Sequence, residues 1–272
     1  MRMNEMNREG ILSAERIVVK IGTHSLLNSQ NQINFNRIDR LALALSTLIQ
    51  EGKEVILVTS GAIGVGSVKM GLTSRPTDMA SQQATAAVGQ VALMNLYSRS
   101  FNYYSQFIGQ ILLTRDIIDF PDSYNNYKNA MNALLGQKIL PIINENDAVA
   151  VDELDHQTRF GDNDTLSALV ASTMDADLLI FLTDVDGFYD DNPKRNPDAV
   201  RFDVLHEVTD DLIDMAKGDV SAFSTGGMET KLTAANESLK SGQMTVIMSS
   251  EDPMLILDLV KGESIGTLFI PI

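Results

Sequence analysis

The sequence contains no cysteine and only three histidines. The lack of cysteine excludes disulfides, thiolate metal ligands and cysteine nucleophiles. The histidines, His24, His156 and His206, lie far apart and do not have the spacing of a metal site. Long hydrophobic runs are also missing, since no stretch approaches the length of a membrane span and residues 1–13 lack the apolar core of a signal peptide. We therefore expect a soluble, cytoplasmic protein.

Positive charge is scarce as well. The chain has 21 Lys and Arg against 36 Asp and Glu, a formal net charge of −15 and a pI near 4.5. Such a surface repels phosphate backbones and anionic membranes, so we expect neither nucleic acid nor a membrane as a partner. An anionic substrate must then be held by a few local cations and backbone N–H groups.

The pattern of apolar residues predicts the fold class. Hydrophobic residues make up 44% of the 272 residues, enough for a large core. Predicted strands are Arg16–Ile21, Glu54–Val58, Phe107–Leu113, Lys138–Ile143, Asp177–Leu182, Met244–Met248 and Thr267–Ile270. Predicted helices are Asn36–Gln50, Ser81–Tyr104, Ser123–Leu135, Thr165–Met174, Thr209–Ala216, Glu229–Leu239 and Pro253–Val260. Their alternation predicts an α/β fold, with a doubly wound, mainly parallel central sheet sandwiched by helices. We assign residues 1–15 to a flexible N-terminal segment and residues 16–272 to a single domain.

Polar and glycine-rich turns follow several of the predicted strands. Thr59–Gly66, Asn144–Asp147 and Thr183–Gly187 each come directly after a strand. The carboxyl ends of parallel strands meet at one edge, where open α/β sheets bind ligands. A polar turn explains any one such segment, but their recurrence favours a binding site. We expect the glycines of Thr59–Gly66 to let a ligand approach the backbone.

Three polar residues, Asp162, Asn163 and Asp164, follow Gly161 and precede an apolar segment with helical spacing. An Asp or Asn at this position caps the first turn of a helix. Capping needs only one of the three, so the other two are available for a ligand. A capped turn with no further role is the plain alternative.

Two lysines stand where a phosphate could bind. Gly226–Lys231 is a glycine loop that opens a helix, and it offers N–H groups, a positive helix end and an ammonium group. Lys20, near the end of the first strand, is either a cation aimed at a ligand or an edge residue that reaches solvent. Three well-known sequence motifs of nucleotide-binding proteins and hydrolases are absent. The P-loop spacing fails, Lys69 stands where a dinucleotide motif needs its third glycine, and Ser60 is not in a G-x-S-x-G elbow.

Together these motifs resemble the amino acid kinase family. The matching segments span nearly the whole chain in order: Val19–Thr23, Thr59–Ala62, Ile143–Asp147, Gly161–Ala168, Leu182–Gly187 and Gly226–Lys231. Within the family, they are most similar to the members that phosphorylate L-glutamate. The resemblance implies transfer of the γ-phosphoryl group of ATP to the γ-carboxylate of L-glutamate, which gives γ-glutamyl phosphate at the start of proline biosynthesis. A carboxylate is already ionised at pH 7, so this reaction needs cations and in-line positioning rather than a general base.

The resemblance also implies a role for each matching residue. The implied catalytic residues are Lys20 and Lys231, which hold the phosphates, and Asp164, which fixes both ammonium groups. The implied substrate-binding residues are Ser60, Gly61, Asn144, Asp147, Asp162 and Asn163, of which Asp147 suits the α-ammonium group. The implied nucleotide-binding residues are Lys20, Gly22, Thr23, Thr183, Asp184, Thr225, Gly226, Gly227, Met228, Glu229, Thr230 and Lys231. No dedicated metal site is implied, because Mg²⁺ travels mainly on the ATP phosphates. The N-terminal lobe would bind the amino acid and the C-terminal lobe the nucleotide.

Several partners follow from the same resemblance. It implies L-glutamate and ATP as substrates, proline as a feedback inhibitor, and functional coupling to glutamate-5-semialdehyde dehydrogenase. It also implies a homo-oligomer, a dimer or tetramer, with the long helix Ser81–Tyr104 as a contact surface. Many members that phosphorylate glutamate carry a C-terminal PUA domain, whereas this sequence stops at Ile272, a departure that bears on regulation and assembly. His24 stands where a small residue is expected, and a turn or surface histidine is its default interpretation.

Other functions are open at this point. The same fold could phosphorylate N-acetylglutamate, aspartate, carbamate or a nucleoside monophosphate, although the acidic Asp147 favours a free ammonium group. The chain could also be a non-catalytic amino-acid sensor, against which the two lysines and Asp164 speak. An NAD-dependent oxidoreductase is a distant third, because the dinucleotide fingerprint is absent.

Overall fold

The structure, a computed structural model, describes residues 8–28, 30–150, 152–153, 156–157, 162–193, 195–217 and 227–271. The strands, β1 to β10 in chain order, are Arg16–Ile21, Glu54–Thr59, Ile108–Leu113, Leu140–Glu145, Asp152–Glu153, His156–Gln157, Leu178–Thr183, Val204–Leu205, Met244–Ser249 and Thr267–Phe269. The helices, α1 to α11, are Glu9–Leu12, Thr23–Leu26, Phe35–Gln50, Ala62–Met70, Met79–Asn102, Arg115–Asp119, Pro121–Gly136, Asn163–Thr173, Asp210–Ala216, Met228–Lys240 and Leu255–Leu259. None of the helices in these ranges is both long and apolar enough to cross a membrane.

The central sheet has eight strands in the order β3-β4-β2-β1-β7-β9-β10-β8. The strands from β3 to β9 in this order all run parallel, while β10 is antiparallel to β9 and parallel to β8. The predicted α/β fold with a mainly parallel sheet is therefore confirmed. A separate antiparallel pair, β5 and β6, lies between β4 and α8, in a segment much of which falls outside the described residues.

Helices cover both faces of the sheet, because the side chains of a buried strand alternate between the two faces. On β1, Ile17, Val19 and Ile21 join one core with α3, α5 and α11. Val18 joins the opposite core, with α7, α8 and α10. Lys20 has the same alternation as Val18, so its side chain points towards α8 and α10. The strand's register thus sets the direction of this lysine.

Part of the segment expected to be flexible packs onto the domain. The guanidinium group of Arg8 forms a 2.8 Å ion pair with Asp203 and donates to the backbone oxygen of Ile265 at 3.1 Å. Ile11, on α1, is only 1% exposed. The folded part therefore begins before residue 16. Because α1 has only four residues, its periodicity is too short to be recognised in the sequence.

The segment after β2 is a helix, α4, where we expected a glycine-rich loop open to a ligand. That expectation is wrong for Gly64 and Gly66, which face protein. A Cβ atom on Gly66 would lie 2.1 Å from the backbone oxygen of Thr85, and one on Gly64 would lie 2.8 Å from Thr23 Cγ2. Gly89 on α5 makes the reciprocal approach, with a hypothetical Cβ 1.7 Å from the backbone oxygen of Ala62. These glycines let α4 and α5 pack backbone to backbone beside the carboxyl edge of the sheet.

We predict that Gly89→Ala destabilises the fold by at least about 2 kcal/mol, because the new methyl group meets backbone atoms that have no room to move. Gly136→Ala is the matched control. Gly136 is also helical, and a Cβ atom there meets no atom within 4 Å, so its replacement should be neutral or slightly stabilising. Urea denaturation of both variants measures the difference. Equal stability of the two variants would contradict this account of the α4–α5 contact.

Candidate active site

The three predicted catalytic residues meet at the carboxyl edge of the sheet. Lys20 comes from β1, Asp164 from the first turn of α8 and Lys231 from the first turn of α10. Lys20 Nζ lies 2.5 Å from Asp164 Oδ1, and Lys231 Nζ lies 3.1 Å from Asp164 Oδ2. Asp164 is 0% exposed and each lysine is 6% exposed. One buried carboxylate thus holds two ammonium groups side by side, and we call these three residues the lysine clamp.

The start of α10 is tied to the clamp by a further residue, Thr230. Its hydroxyl group donates to Asp164 Oδ2 at 2.7 Å. Lys231 Nζ also donates to the backbone oxygen of Gly227 at 3.3 Å, which fixes the lysine against its own helix. Two further predicted nucleotide-binding residues, Gly227 and Thr230, thus contact the clamp directly.

The electrostatics of the clamp follow from burial and charge. Burial alone would raise the pKa of Asp164, but Lys20, Lys231 and the Thr230 hydroxyl outweigh it and lower the pKa to about 2. Burial lowers the pKa of Lys231, an effect that the nearby Asp164 partly offsets. Two ammonium groups against one carboxylate leave one net positive charge in a site largely removed from water. Such a site attracts anions, and it does so within a strongly acidic chain.

A network of amides lies beside the clamp. The side-chain nitrogen of Asn163, the residue before Asp164, shares its two hydrogens among three acceptors: Ser60 Oγ at 2.8 Å, the Thr59 backbone oxygen at 3.1 Å and Asn144 Oδ1 at 3.1 Å. Asn144 is 1% exposed at the end of β4. The structure therefore brings together three of the predicted substrate-binding residues, from the ends of β2 and β4 and the start of α8.

Two residues of this region were missed in the sequence analysis, and both lie on α5. Asn144 Nδ2 donates to Gln90 Oε1 at 2.8 Å, and the Tyr97 hydroxyl lies 2.7 Å from Thr59 Oγ1. Burial raises the pKa of Tyr97 well above its ordinary value, an effect that the hydrogen bond with Thr59 partly opposes. A signal was present in the sequence. Gln90 and Tyr97 are seven residues apart, so both lie on the inward face of one helix.

The remaining predicted substrate-binding residues have separate positions. Asp162 caps α8, since its side chain accepts from the backbone N–H of Thr165 at 2.7 Å. Capping therefore uses one of the three polar residues, as argued, and leaves Asn163 and Asp164 for other contacts. Gly61 caps α4 with φ 101°, a left-handed conformation that favours glycine. Asp147 lies in the turn after β4.

The remaining predicted nucleotide-binding residues lie at three element ends. Thr183 ends β7 and donates to Asp184 Oδ1 at 3.2 Å. Gly22 and Thr23 begin the short helix α2, on which His24 is exposed. The others are at the start of α10, namely Gly227, Met228 and Glu229. Thr225 and Gly226 lie outside the described residues, so that part of the prediction is not addressed by the structure.

A cavity of about 160 Å³ opens next to the start of α10. Its lining is mixed: apolar and aromatic side chains alternate with polar and charged ones, namely Val185, Phe188, Tyr189 and Met215 on the one hand and Asp191, Asn192, Arg195 and Lys217 on the other. Met228, three residues before Lys231, also lines it, so the cavity lies within one helical turn of the clamp. The cavity and the amide network both adjoin the clamp, since Asn163 and Met228 stand one and three residues from clamp members.

Comparison with known proteins places these features in a family. Residues 15–249 match the amino acid kinase family. A glutamate 5-kinase of Lactococcus lactis subsp. lactis is 54% identical, with 97% of this chain and 98% of that protein covered. A glutamate 5-kinase of Enterococcus faecalis is 50% identical, with 97% of each chain covered. One of Listeria monocytogenes is 50% identical over 96% of this chain and 95% of that protein.

Solved structures share the fold at low sequence identity. An isopentenyl phosphate kinase of T. acidophilum superposes with a TM-score of 0.65 at 18% identity, covering 93% of this chain and 99% of that one. A carbamate kinase of Giardia lamblia superposes with a TM-score of 0.64 at 16% identity, covering 96% of this chain and 100% of that one. The family match extends over most of the sequence, and the relatives cover nearly all of it. This chain belongs to the amino acid kinase family.

Proposed function

We propose that this chain transfers the γ-phosphoryl group of ATP to the γ-carboxylate of L-glutamate and forms γ-glutamyl phosphate, the first step of proline biosynthesis. The observation that carries the reaction type is the buried lysine clamp, with an amide network and a cavity adjoining it. The choice of acceptor is supported by the relatives named glutamate 5-kinase, at 50 to 54% identity over nearly the whole chain.

The main difficulty of this reaction is electrostatic, because an anionic carboxylate must approach an anionic phosphate. The clamp supplies one net positive charge in a site with little water, where charges interact more strongly than in solvent. Lys20 and Lys231 would each donate to oxygens of the transferring phosphoryl group while Asp164 keeps them in place. With a pKa near 2, Asp164 stays ionised at neutral pH and does not act as a base. The acceptor is itself ionised, so no base is required.

The acceptor would bind at the amide network. Ser60, Asn144 and Asn163 offer hydroxyl and amide groups without charge, and they lie directly beside the clamp. Asn163 Oδ1 is buried and has no hydrogen-bond partner among the described residues, so it is available to an N–H donor of the ligand. Asp147, in the turn after β4, would face the α-ammonium group. Gly61 and Asp162 complete the set of proposed contacts.

The nucleotide would bind on the opposite side of the clamp. The apolar part of the cavity lining, with Phe188 and Met228, suits a base, and the polar part offers partners to its edges and to the ribose. The start of α10 offers N–H groups and a positive helix end to phosphates. Thr183 and Asp184, with Gly22 and Thr23, would line the path between them. Mg²⁺ would enter on the ATP phosphates and keep some of its waters. The amino-acid lobe is thus the N-terminal one and the nucleotide lobe the C-terminal one.

Further partners follow from the same family. We propose proline as an inhibitor at or near the acceptor site, and a homo-oligomer, a dimer or tetramer, with α5 as a contact surface. Transfer of the reactive acyl phosphate to glutamate-5-semialdehyde dehydrogenase would limit its loss to hydrolysis.

Both lysines of the clamp should be required for rapid catalysis. With Mg-ATP, L-glutamate and hydroxylamine, the wild-type protein should form γ-glutamyl hydroxamate. Lys20→Met and Lys231→Met should each lower kcat by about 100-fold or more, because each removes one charged donor to the transferring group. Lys240→Met is the matched control, since Lys240 is an exposed residue on the same helix as Lys231 and pairs only with Glu237 in the described contacts. Its kcat should remain within about twofold of wild type.

The same assay separates the other functions. N-acetylglutamate, aspartate and carbamate are offered in parallel with L-glutamate. A kcat/KM that is larger with one of these acids than with L-glutamate would identify that acid as the acceptor and leave the proposed role of the clamp unchanged. Absence of hydroxamate from every acid, with L-glutamate still binding, would overturn the proposal in favour of a sensor.

The stability that the clamp contributes should depend on pH. The pKa of Asp164 is lower in the folded protein than in the unfolded chain, so the folded state binds this proton less tightly. Its contribution, about 2 kcal/mol, is fully present above pH 4 and is lost as the pH falls towards 2. Asp164→Asn lacks this titration. Urea denaturation from pH 2.5 to 7 should show the stability advantage of wild type over Asp164→Asn shrinking with acid, whereas a constant difference would contradict the account.

A further inference from the structure

On helix α5, a polar side chain at every seventh position contacts the region of the amide network, where the acceptor is proposed to bind. Gln83 Nε2 donates to the backbone oxygen of Ala150 at 3.3 Å, just after the turn that holds Asp147. Gln90 contacts Asn144 at 2.8 Å, and Tyr97 contacts Thr59 at 2.7 Å. Seven residues are close to two helical turns, so the three side chains share one face. One helix therefore supports both strand ends that carry the proposed acceptor residues.

The orientation of the amides in this network is set by backbone groups. The backbone N–H of Glu145 donates to Asn144 Oδ1 at 2.9 Å, which leaves Asn144 Nδ2 to face Gln90 and makes Gln90 Oε1 the acceptor. The backbone oxygen of Thr59 accepts from Asn163 Nδ2 at 3.1 Å, so Asn163 Oδ1 points elsewhere. A backbone N–H group can only donate and a backbone oxygen can only accept, so each of them selects one end of a side-chain amide. Each side-chain amide is therefore held in one of its two possible orientations.

With the amides in these orientations, two side-chain atoms of the network make no hydrogen bond to the described part of the protein. Gln90 Nε2 and Asn163 Oδ1 are buried, and neither has a hydrogen-bond partner in the part of the chain that the structure describes. Gln90 is 9% exposed. A buried polar atom without a partner destabilises a fold, and packing alone would favour an apolar side chain at such a position. Unpaired amide atoms beside a binding site instead suit contact with a ligand.

We infer that Gln90 is a positioning residue of the acceptor site. Through Asn144 it holds Asn163 so that Oδ1 is presented to the ammonium group of an amino-acid acceptor. This inference rests on the proposed location of the acceptor site at the amide network. Without the Gln90 oxygen, Asn144 Nδ2 loses its buried partner, Asn144 is free to rotate, and Asn163 loses one of the groups that orient it.

The test is a comparison of ligand affinities. Titration calorimetry measures Kd for L-glutamate and for Mg-ATP in wild type, Gln90→Met and Asn144→Ala, and in the double variant. Gln90→Met keeps the size of the side chain but removes its hydrogen bond, so it should weaken L-glutamate binding about tenfold. Binding of Mg-ATP should stay within about twofold of wild type, because the nucleotide side of the clamp is untouched. Asn95→Met, on the exposed face of the same helix, is the matched control and should change neither Kd.

The double variant separates positioning from general damage. If Gln90 acts through Asn144, then Gln90→Met should cause no further loss of glutamate affinity in the Asn144→Ala background. The inference would be overturned if the loss of glutamate affinity in the double variant equalled the product of the losses in the two single variants. Unchanged glutamate affinity in Gln90→Met, or equal losses of affinity for both ligands, would overturn it as well. If Gln90→Met does not fold, Gln90→Asn draws the amide oxygen back by one methylene and should show the same selective loss. The test does not need turnover, so failure of the proposed reaction and failure of this inference give different results.

Discussion

The site depends on one interaction, a single buried carboxylate that holds two ammonium groups. Removing three charges from water is costly, and the cost is offset only when both ammonium groups lie at ion-pair distance from the carboxylate. Lys20, Asp164 and Lys231 come from β1, α8 and α10, segments far apart in the chain. Their meeting requires the parallel sheet, which places the strand ends at one edge, and the shared core in which Leu166 of α8 and Leu232 of α10 are buried. The clamp can therefore form only in the folded chain, where the sheet and this core bring the three residues together.

The two regions that adjoin the clamp differ in chemistry. The amide network uses neutral donors and acceptors, so an acidic ligand can be oriented there without a strong counter-charge that would compete with the clamp. The cavity beside Met228 combines apolar side chains with charged ones, so it could hold a flat base together with the polar groups of a nucleotide. Two anions would then meet at the clamp, where two buried ammonium groups share one carboxylate. This division explains how a chain with a net charge of −15 could bring them together.

Periodicity was sufficient to predict the sheet and the long helices, because buried strands and amphipathic helices have distinct apolar patterns. The clamp residues were also predictable, since each stands in a recognisable motif. The helix α4 was not, because Gly64 and Gly66 resemble loop residues until the close approach of α5 is known. The contacts of Gln90 and Tyr97 were missed for a similar reason. Helical spacing shows that two side chains share a face, but not which strand end that face meets.

The most direct measurement is a crystal structure with L-glutamate and a non-hydrolysable ATP analogue bound together. The account predicts that Lys20 Nζ and Lys231 Nζ both lie within hydrogen-bond distance of γ-phosphate oxygens while each keeps its contact with Asp164. The γ-carboxylate of L-glutamate should lie in line with the γ-phosphate, on the side of Asn163. A γ-phosphate bound away from the two lysines, or L-glutamate bound outside the amide network, would contradict the account.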